Sequence, residues 1–269
     1  MKYSIGEFAE MVGVTVDTLR LYEKHNIINP MRDEQNNYRY YNDLDVRNLL
    51  MSRWYRSIQI PLQDVANITN DPSKDIIVNK LSSVKEDLEE EIKLKTMLLD
   101  KIISINNEIS NCEFSLNKCI VKKTPGIYRI KQTRRNTLLQ DDSITNIVDE
   151  WMNLLPFTFY SFKIDNIRLL SNEEYLDYSW GLGISEDDLN TFNLNINDNI
   201  EYIPPRTCVS SIILSSYSQY LMRDSFKFME NYIKENNLKI NGDIFGRIIL
   251  IVKISGEMKS YLEVNIPIE

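Results

Sequence analysis

Hydroxyl, guanidinium and phenol side chains recur near the N-terminus at spacings that suit contacts with phosphate groups. Thr15, Thr18 and Arg20 are expected on the exposed side of one short helix, where they can reach phosphate oxygens or base edges. An aromatic run around Arg39 is typical of a stiff hairpin, and arginines continue along one face of the helix after it. These residues are our candidate nucleic-acid contacts: Thr15, Thr18, Arg20, Tyr22, Tyr38, Arg39, Tyr41, Arg53 and Arg56.

Two short helices joined by a glycine turn are predicted to position these side chains. Ser4 and Glu7 have the spacing of a capping box, which begins a helix by satisfying its first backbone amides. Gly13 suits the left-handed end of that helix, and Thr15 can cap the next one. This arrangement is a helix-turn-helix, whose second helix enters the major groove of DNA. The turn and β-prone run at 36–41 then predict a wing.

Net charge alone argues mildly against a nucleic-acid partner. The 269-residue chain carries a formal charge of −8, and residues 1–60 hold eight basic and eight acidic side chains. The DNA hypothesis therefore depends on where the charges lie and not on their sum. No apolar run approaches the roughly 20 residues of a membrane helix, and the N-terminus lacks a signal-peptide core, so we expect a cytoplasmic protein.

A long helix is predicted between Pro72 and Pro125, a stretch without glycine or proline. Its apolar residues follow a heptad seam that is interrupted by Glu91 and Lys95. A second copy of the chain would bury so narrow a stripe, which favours a dimerisation helix; packing against its own C-terminal part is the alternative. The seam comprises Ile77, Leu81, Val84, Leu88, Leu98, Ile102, Ile105 and Ile109.

The last 150 residues alternate β-prone runs with two amphipathic helices, at about Ser143–Leu155 and Ser218–Asn236. Each half has the order strand, helix, strand, strand, which predicts a duplicated β-α-β-β unit around a cleft. The predicted strands are Ile127–Ile130, Phe157–Ile164, Tyr175–Ile184, Thr207–Leu214, Phe245–Ile254 and Tyr261–Ile266. The predicted fold class is α plus α/β, with domains at 1–72, 73–118 and 119–269.

The N-terminal motifs together resemble the MerR family of bacterial regulators over about residues 1–110. The resemblance implies a winged helix-turn-helix, an antiparallel coiled-coil homodimer, and double-stranded promoter DNA and RNA polymerase as partners. It further implies activation by bending and untwisting an overlong promoter spacer. The matching residues are Tyr3-Ser4-Ile5-Gly6-Glu7-Phe8-Ala9, Val14-Thr15, Thr18-Leu19-Arg20-Leu21-Tyr22-Glu23-Lys24, Pro30 with Arg32, Tyr38-Arg39 with Tyr41, and Leu62 with Val65.

Three positions depart from the family pattern. Asn26 and Asn37 replace glycines that the family usually has, and asparagine is the best non-glycine residue for a positive φ. Gln59 replaces another usual glycine, which makes the turn before Pro61 less certain. The single histidine, His25, is expected to be a surface or phosphate-contacting residue.

Glu263 is the candidate centre of a ligand site in the C-terminal part. It lies in an apolar strand, where a buried carboxylate needs a partner, and a cationic ligand surrounded by aromatic rings would supply one. The duplicated pattern and the closing Tyr261–Pro267 segment resemble the GyrI-like effector domain, which implies a small lipophilic and cationic effector held by Glu263. The candidate ligand residues are Glu263, Tyr261, Trp151, Tyr160, Tyr178, Trp180 and Phe245.

Other functions remain open at this point. GyrI-like domains can hydrolyse small electrophiles, and a drug-sequestering protein would have the same cleft. Cys112 and Cys119 follow the long helix, where related metal sensors place thiolates, although no third ligand lies near. We expect neither catalytic residues nor a cofactor nor a metal site, because no nucleophile–base motif, phosphate loop or convincing ligand set is present.

Overall fold

The structure is a computed structural model that describes residues 2–35, 37–134, 137–139, 144–165, 178–216 and 223–269. The chain divides into two compact units, Met1–Thr96 and Met97–Glu269, and the boundary falls within one long helix. Among the described residues, no helix combines the length and the apolar character that crossing a membrane requires.

The first unit is helical with one small hairpin. The predicted capping box is confirmed, because the Ser4 side chain accepts from the Glu7 amide and the Glu7 carboxylate accepts from the Ser4 amide. Gly13 ends the first helix at φ 66°, and Thr15 caps the second. The elements are α1 (Ile5–Val12), α2 (Val16–Lys24), β1 (Met31–Arg32), β2 (Arg39–Tyr40), α3 (Asp43–Ser57), α4 (Leu62–Asn70) and the start of α5 (Lys74–Ser115).

The turns of this unit place all three unusual residues in the left-handed region, which was expected for Asn26 and Asn37 and left open for Gln59. Asn26, Asn37 and Gln59 all have positive φ, between 57° and 69°. Around these turns, the core of the unit is built from apolar faces of the four short helices and the start of α5. Its buried residues are Phe8, Ala9, Leu19, Tyr22, Ile27, Ile28, Tyr41, Leu49, Tyr55, Ile60, Val65, Ala66 and Ile68.

Helix α5 has 42 residues and is therefore about 60 Å long. The predicted long helix is present; it begins two residues after Pro72 and ends ten residues before Pro125. Ile77, Leu81 and Val84 pack against the core of the first unit, while Leu88, Ile92 and many later apolar residues stay exposed. The seam is thus only partly covered by the chain itself.

The second unit is an eight-stranded sheet with helices. Every pairing between its named strands is antiparallel, which corrects the α/β class to α+β. The sheet order is β3-β10-β12-β11-β7-β8-β4-β9, and β5 and β6 form a separate hairpin. The elements are β3 (Ile120–Thr124), β4 (Ile127–Lys131), β5 (Thr133–Arg134), β6 (Thr137–Leu138), α6 (Thr145–Met152), β7 (Thr158–Ile164), β8 (Tyr178–Ser185), α7 (Glu186–Thr191), β9 (Ile200–Ile203), β10 (Arg206–Ser216), α8 (Lys227–Glu235), β11 (Ile244–Ile254) and β12 (Glu257–Pro267).

Two segments of this unit have the same order and pairing of elements. In the first, β4 and β7 flank β8 and α6 follows β4; in the second, β10 and β11 flank β12 and α8 follows β10. Strands β7 and β11 join the two triplets at the centre of the sheet. Strands β3, β5, β6 and β9 are not in the sequence prediction, because they are short or, in β3, carry two lysines where apolar residues would mark a strand.

The helical ends differ slightly from the prediction. Helix α6 begins at Thr145 and ends at Met152, where Asn153 continues into a turn, and α8 follows a short 3-10 turn at Arg223–Phe226. Ser143, residues 175–177 and residues 218–222, which the predicted elements include, lie outside the described residues.

The two faces of β12 have different surroundings. Leu262, Val264 and Ile266 point to the core that contains Met229 and Ile233 of α8. Because side chains alternate along a strand, Tyr261, Glu263 and Asn265 point to the opposite face. That face carries the cleft around Glu263.

Candidate functional site

A charged cavity of about 260 Å³ lies on the Glu263 face of the second unit. Its floor is an ion-pair network centred on Glu263. Lys122 Nζ contacts Glu263 Oε1 at 2.5 Å, and Arg247 Nε donates to Glu263 Oε2 at 2.8 Å. Arg247 also donates to Glu108 on α5. Strands β3, β11 and β12 and the helix thus each contribute one charged side chain.

Electrostatics favour the ionised forms of Glu263 and Arg247. Burial alone would raise the pKa of Glu263, but attraction from Arg247 and Lys122 outweighs burial and lowers the pKa below its ordinary value. Burial likewise opposes the charge on Arg247, yet Glu263 and Glu108 together raise its pKa. The partner that the Glu263 carboxylate needs is therefore supplied by the chain, which corrects the argument that a cationic ligand must supply it.

A second cavity of about 290 Å³ adjoins the same network. Glu108, Lys122 and Glu263 line both cavities, so these side chains form a partition between them. Beyond the partition the second cavity has an apolar wall formed by Phe114, Ile120 and Ile212. The first cavity is lined by most of the charged side chains, and the second adds the apolar wall.

The structure separates most of the predicted aromatic residues from Glu263. Phe245 lines the charged cavity, together with Phe159, and Tyr261 lies on the same face without lining either cavity. Tyr160 and Trp180 lie on the other face of the sheet, because Ser161 and not Tyr160 is in register with Arg247. The predicted grouping is therefore corrected by the alternation of side chains along β7 and β8.

Trp151 and Tyr178 are also core residues. Trp151 is fully buried on α6 within a cluster that contains Ile130 and Ile184, and Tyr178 packs in the core beneath α8. Neither lines a cavity with Glu263. Large aromatic residues at a helix or strand face serve the core here, as bulky apolar side chains commonly do.

The two cysteines near the end of α5 are not poised as thiolates. Burial raises the pKa of both Cys112 and Cys119, and Glu108 adds to the effect at Cys112. Within the described ranges, no three or more His, Cys, Asp or Glu side chains are grouped so as to hold a metal ion.

In the first unit, Thr15 and Thr18 lie at the N-terminal end of α2, and Arg20 lies at its middle. The Thr15 hydroxyl accepts from the Thr18 amide at 3.1 Å and lies 2.9 Å from the Thr18 hydroxyl. Arg20 is largely exposed and pairs with Asp17 at 3.1 Å, one turn earlier. A surface pair of this kind is weak, so the guanidinium can exchange Asp17 for a phosphate at little cost.

Glu23 connects α2 to the wing, a role that the sequence analysis missed. Its two carboxylate oxygens pair with Arg39 Nε at 2.7 Å and with Arg32 Nη2 at 3.0 Å. Glu23 belongs to the matched family run, but its spacing to Arg39 along the chain gives no signal of contact. The pair orients both arginines of the hairpin relative to α2.

Two predicted contacts are buried. Tyr22 is 7% exposed and Tyr41 is fully buried, where its ring stacks on Phe8 with centroids 4.6 Å apart. Tyr41 is thus a core residue, and its assignment as a surface contact is corrected because the alternation of the wing strand turns it inward. Tyr38, by contrast, is 67% exposed.

The arginines of α3 lie on the surface of the same unit. Arg53 and Arg56 are exposed, and Arg56 Nη1 donates to the carbonyl oxygen of Ile60 at 2.8 Å. This bond fixes the turn that Gln59 makes in the left-handed region. His25 follows α2 as its C-terminal cap residue.

Comparison with known proteins agrees with this helix-turn-helix geometry. Residues 3–71 match the family model described as MerR HTH family regulatory protein. They form a MerR-type helix-turn-helix domain. The match covers α1, α2, the hairpin, α3 and α4, which include all nine candidate contacts.

Relatives are similar to the chain over the MerR-type domain. The HTH-type transcriptional activator TipA of Streptomyces coelicolor is 36% identical over 75 residues, which are 28% of this chain and 30% of that protein. The HTH-type transcriptional activator mta of Bacillus subtilis is 29% identical over 75 residues, 28% of this chain and 29% of that protein. The chain thus matches about a third of the length of these curated relatives.

One solved structure extends over both units. A cryo-EM structure of an EcmrR–DNA complex covers 99% of this chain and 99% of its own, with 18% sequence identity and a TM-score of 0.36. The assignment of the MerR-type domain is based on its motifs, its geometry and the family match.

Proposed function

We propose that this protein is a ligand-responsive transcriptional regulator that binds double-stranded promoter DNA as a homodimer. The observation that carries the proposal is the surface of the MerR-type domain. Helix α2 presents Thr18 and Arg20, and Glu23 holds the wing arginine Arg39 beside it. A recognition helix beside a cationic wing is the arrangement that reads a major groove and grips the adjoining backbone. The names of TipA and mta support the regulatory role.

A homodimer is supported by the exposed apolar stripe of α5. Leu88, Ile92, Leu99 and Ile102 are each more than two-fifths exposed. The free energy of leaving four large apolar side chains in water favours a partner, and burial of each is worth about 1.5–3 kcal/mol. An antiparallel coiled coil between two copies of α5, as the family resemblance implies, would bury them.

Activation is proposed to act through the shape of the promoter. Bound as a dimer, the two MerR-type domains would bend and untwist an overlong spacer, which realigns the elements that RNA polymerase contacts. Such distortion costs DNA deformation energy that the extra contacts offset. An effector changes the outcome only by its different affinity for the two states.

The C-terminal unit is proposed to bind that effector in the cleft around Glu263. The sequence favours a small lipophilic cation, with Glu263 as its counter-charge. In the structure both oxygens of Glu263 are already paired, one with Lys122 and one with Arg247. The cleft and its amphipathic lining support a small effector.

The proposed DNA contacts can be tested by selection from random duplexes at about 0.15 M salt, since nonspecific binding weakens steeply with salt. We expect a preferred palindromic sequence. Arg20→Ala and Arg39→Ala should each weaken binding to it by about tenfold, as expected for loss of a charged hydrogen bond. Lys227→Ala, which removes a surface charge from the second unit, is the control and should change nothing.

The dimer is tested on the same material. Ile92→Asp places a charge in the apolar stripe and should shift the protein to a monomer in sedimentation velocity. Glu90→Lys changes the charge on the opposite side of the same helix, where Glu90 is exposed, and this variant should remain dimeric. A wild-type monomer without any preferred duplex would contradict the proposed function.

A further inference from the structure

The charged partition between the two cavities suggests which kind of ligand the cleft takes. We propose that the cleft binds an amphipathic organic anion, with its carboxylate or phosphate group at Lys122 and Arg247 and its apolar part along Phe114, Ile120 and Ile212. The inference deepens the proposed function, since it assigns the chemical class of the effector to the C-terminal unit.

Charge around the cleft is reversed relative to the chain. The whole protein carries a net charge of −8. On the Glu263 face the two cavities are lined by four basic side chains and three acidic ones, an excess of one positive charge. The basic residues are Lys101, Lys118, Lys122 and Arg247, and the acidic ones are Glu108, Asp188 and Glu263; alternation along β3 turns the side chain of Lys123 to the opposite face. A cleft with this local excess attracts an anion and repels a cation.

Lys122 and Arg247 at the partition can also donate further hydrogen bonds. Both oxygens of Glu263 already accept, one from Lys122 and one from Arg247. An ammonium group carries three protons and a guanidinium five, whereas the described bonds use one on Lys122 and two on Arg247. A carboxylate or phosphate brings the acceptors that these donors can still take.

A cation would meet the opposite situation. A cation bound at Glu263 would lie beside the positive charges of Lys122 and Arg247. Displacing Lys122 from its 2.5 Å contact would remove the described counter-ion of that ammonium, and displacing Arg247 would leave it paired with Glu108 alone. An anion breaks no pair of Glu263, because it adds a second acceptor to cations that are already fixed in place. The existing network is therefore preorganised for anions.

The surroundings of the charges fit an apolar tail. The guanidinium of Arg247 lies 5.7 Å from the centre of the Phe159 ring, which covers one side of it. On the other side of the partition, Phe114 is 74% exposed and lies under the ammonium of Lys118 at 3.6 Å. A ligand of this shape would cover Phe114 and Ile120 while its head group stays beside Lys122.

Three probes with the same chain and different head groups test the proposal on the full-length protein. Decanoate, decyltrimethylammonium and decanol are titrated below their aggregation limits by isothermal calorimetry. We expect decanoate to bind at least about tenfold more tightly than the other two, because only it gains charged hydrogen bonds. Its affinity should fall as salt is raised. Equal binding of all three, tighter binding of the cation, or no binding of decanoate would overturn the proposal.

Two variants add a readout that a merely structural role would not give. Lys122→Met keeps the length of the side chain and should weaken decanoate binding by about tenfold. Glu263→Gln removes the competing carboxylate and should tighten it, whereas a cation site centred on Glu263 would lose decyltrimethylammonium binding. Lys227→Met is the matched control. Weaker decanoate binding by a folded Glu263→Gln protein contradicts the inference.

The failure of this inference is distinguishable from failure of the proposed function. Selection of duplex DNA without any probe tests the MerR-type domain, and calorimetry without DNA tests the cleft. Should either variant fail to fold by circular dichroism, the order of the three probes on the wild-type protein still decides.

Discussion

The burial of Tyr41 gives a prediction with an unusual sign. Among the described residues, no donor or acceptor lies within hydrogen-bonding distance of its phenol oxygen, which is itself buried. The ring stacks on Phe8 at an interplanar angle of 15°, and the Tyr41 backbone pairs with Tyr3. Tyr41→Phe removes only the oxygen and keeps the stack and the backbone pairing.

The size of the effect follows from the cost of an unpaired buried hydroxyl, which is about 1–3 kcal/mol. Removing it loses a few dispersion contacts and leaves a small void, each of which costs a fraction of that amount. We therefore expect the free energy of unfolding of the first unit to rise by about 1 kcal/mol. A tyrosine with a hydrogen-bond partner would show a loss of similar size instead.

Native-state amide hydrogen exchange of the full-length protein is the suitable assay. A melt of a chain with two compact units does not report one two-state transition, whereas exchange of the Leu19 and Leu49 amides reports opening of the first unit. Slower exchange in Tyr41→Phe is expected. Binding of the selected duplex should stay within about twofold of wild type, as a buried hydroxyl makes no contact with DNA.

Tyr38→Phe is the matched control for this pair of measurements. Tyr38 is exposed on the hairpin, so its substitution should leave exchange unchanged and weaken duplex binding if its hydroxyl reaches a phosphate. Faster exchange in Tyr41→Phe, or a fall in its duplex affinity of fivefold or more, would refute the assignment of Tyr41 to the core.

Three further outcomes are expected. Glu23→Gln should lower duplex affinity and reduce the unfolding free energy of the first unit by about 1 kcal/mol, because two partly exposed ion pairs to Arg32 and Arg39 are lost. Fluorescence anisotropy measures the affinity, and hydrogen exchange measures the stability. An unchanged affinity would show that Glu23 is not needed to position the wing. Gln59→Gly should raise the unfolding free energy of the first unit by about 0.5 kcal/mol, because glycine adopts φ 69° without strain and only part of this gain is offset by backbone entropy. Unchanged hydrogen exchange would contradict this prediction. The pKa of Glu263 is lowered in the folded protein, so ionised Glu263 stabilises the fold at pH values above its ordinary pKa of 4.5. This stabilisation disappears as pH falls through the lower folded pKa. Glu263→Gln should make the stability of the protein depend less on pH between about 2 and 6, which unfolding followed by fluorescence would measure.

Local signals in the sequence were sufficient for the architecture of the first unit. Ser4, Gly13 and Thr15 act through neighbours no more than five residues away, and the positive φ of Asn26 follows from the usual glycine at that position. Burial of Tyr41 could not be predicted in the same way. A tyrosine suits a core and a surface equally well, and only the pairing of the wing strand with Tyr3 decides which way it points.

The contacts within the cleft could not be predicted from the sequence. Glu263 was placed on a strand, but Lys122 lies 141 residues away and its contact has no local signal. Residues adjacent in sequence also misled the grouping of rings, since Phe159 lines the cavity while Tyr160 points to the opposite face. Alternation along β7 could have separated the two once the face of one of them was known.

Under the proposed function, helix α5 belongs both to the dimer interface and to the wall of the cleft, so an effector in the cleft can act on the dimer through α5. Arg247 pairs with Glu108 on α5, and Lys101 of the same helix pairs with Asp188 at 3.5 Å. An anion bound to Arg247 competes with Glu108. The anion therefore binds more tightly to a state in which this part of α5 has moved away from Arg247 than to the state seen here. Such a difference in affinity between two states is what a population shift requires. A partly exposed ion pair is worth about 1 kcal/mol, or roughly fivefold, whereas a complete shift needs about 5.5 kcal/mol. Release of Glu108 alone therefore cannot switch the helix, and the effector must also gain contacts that exist in only one state. The apolar wall at Phe114, which belongs to α5 itself, is where such contacts can form.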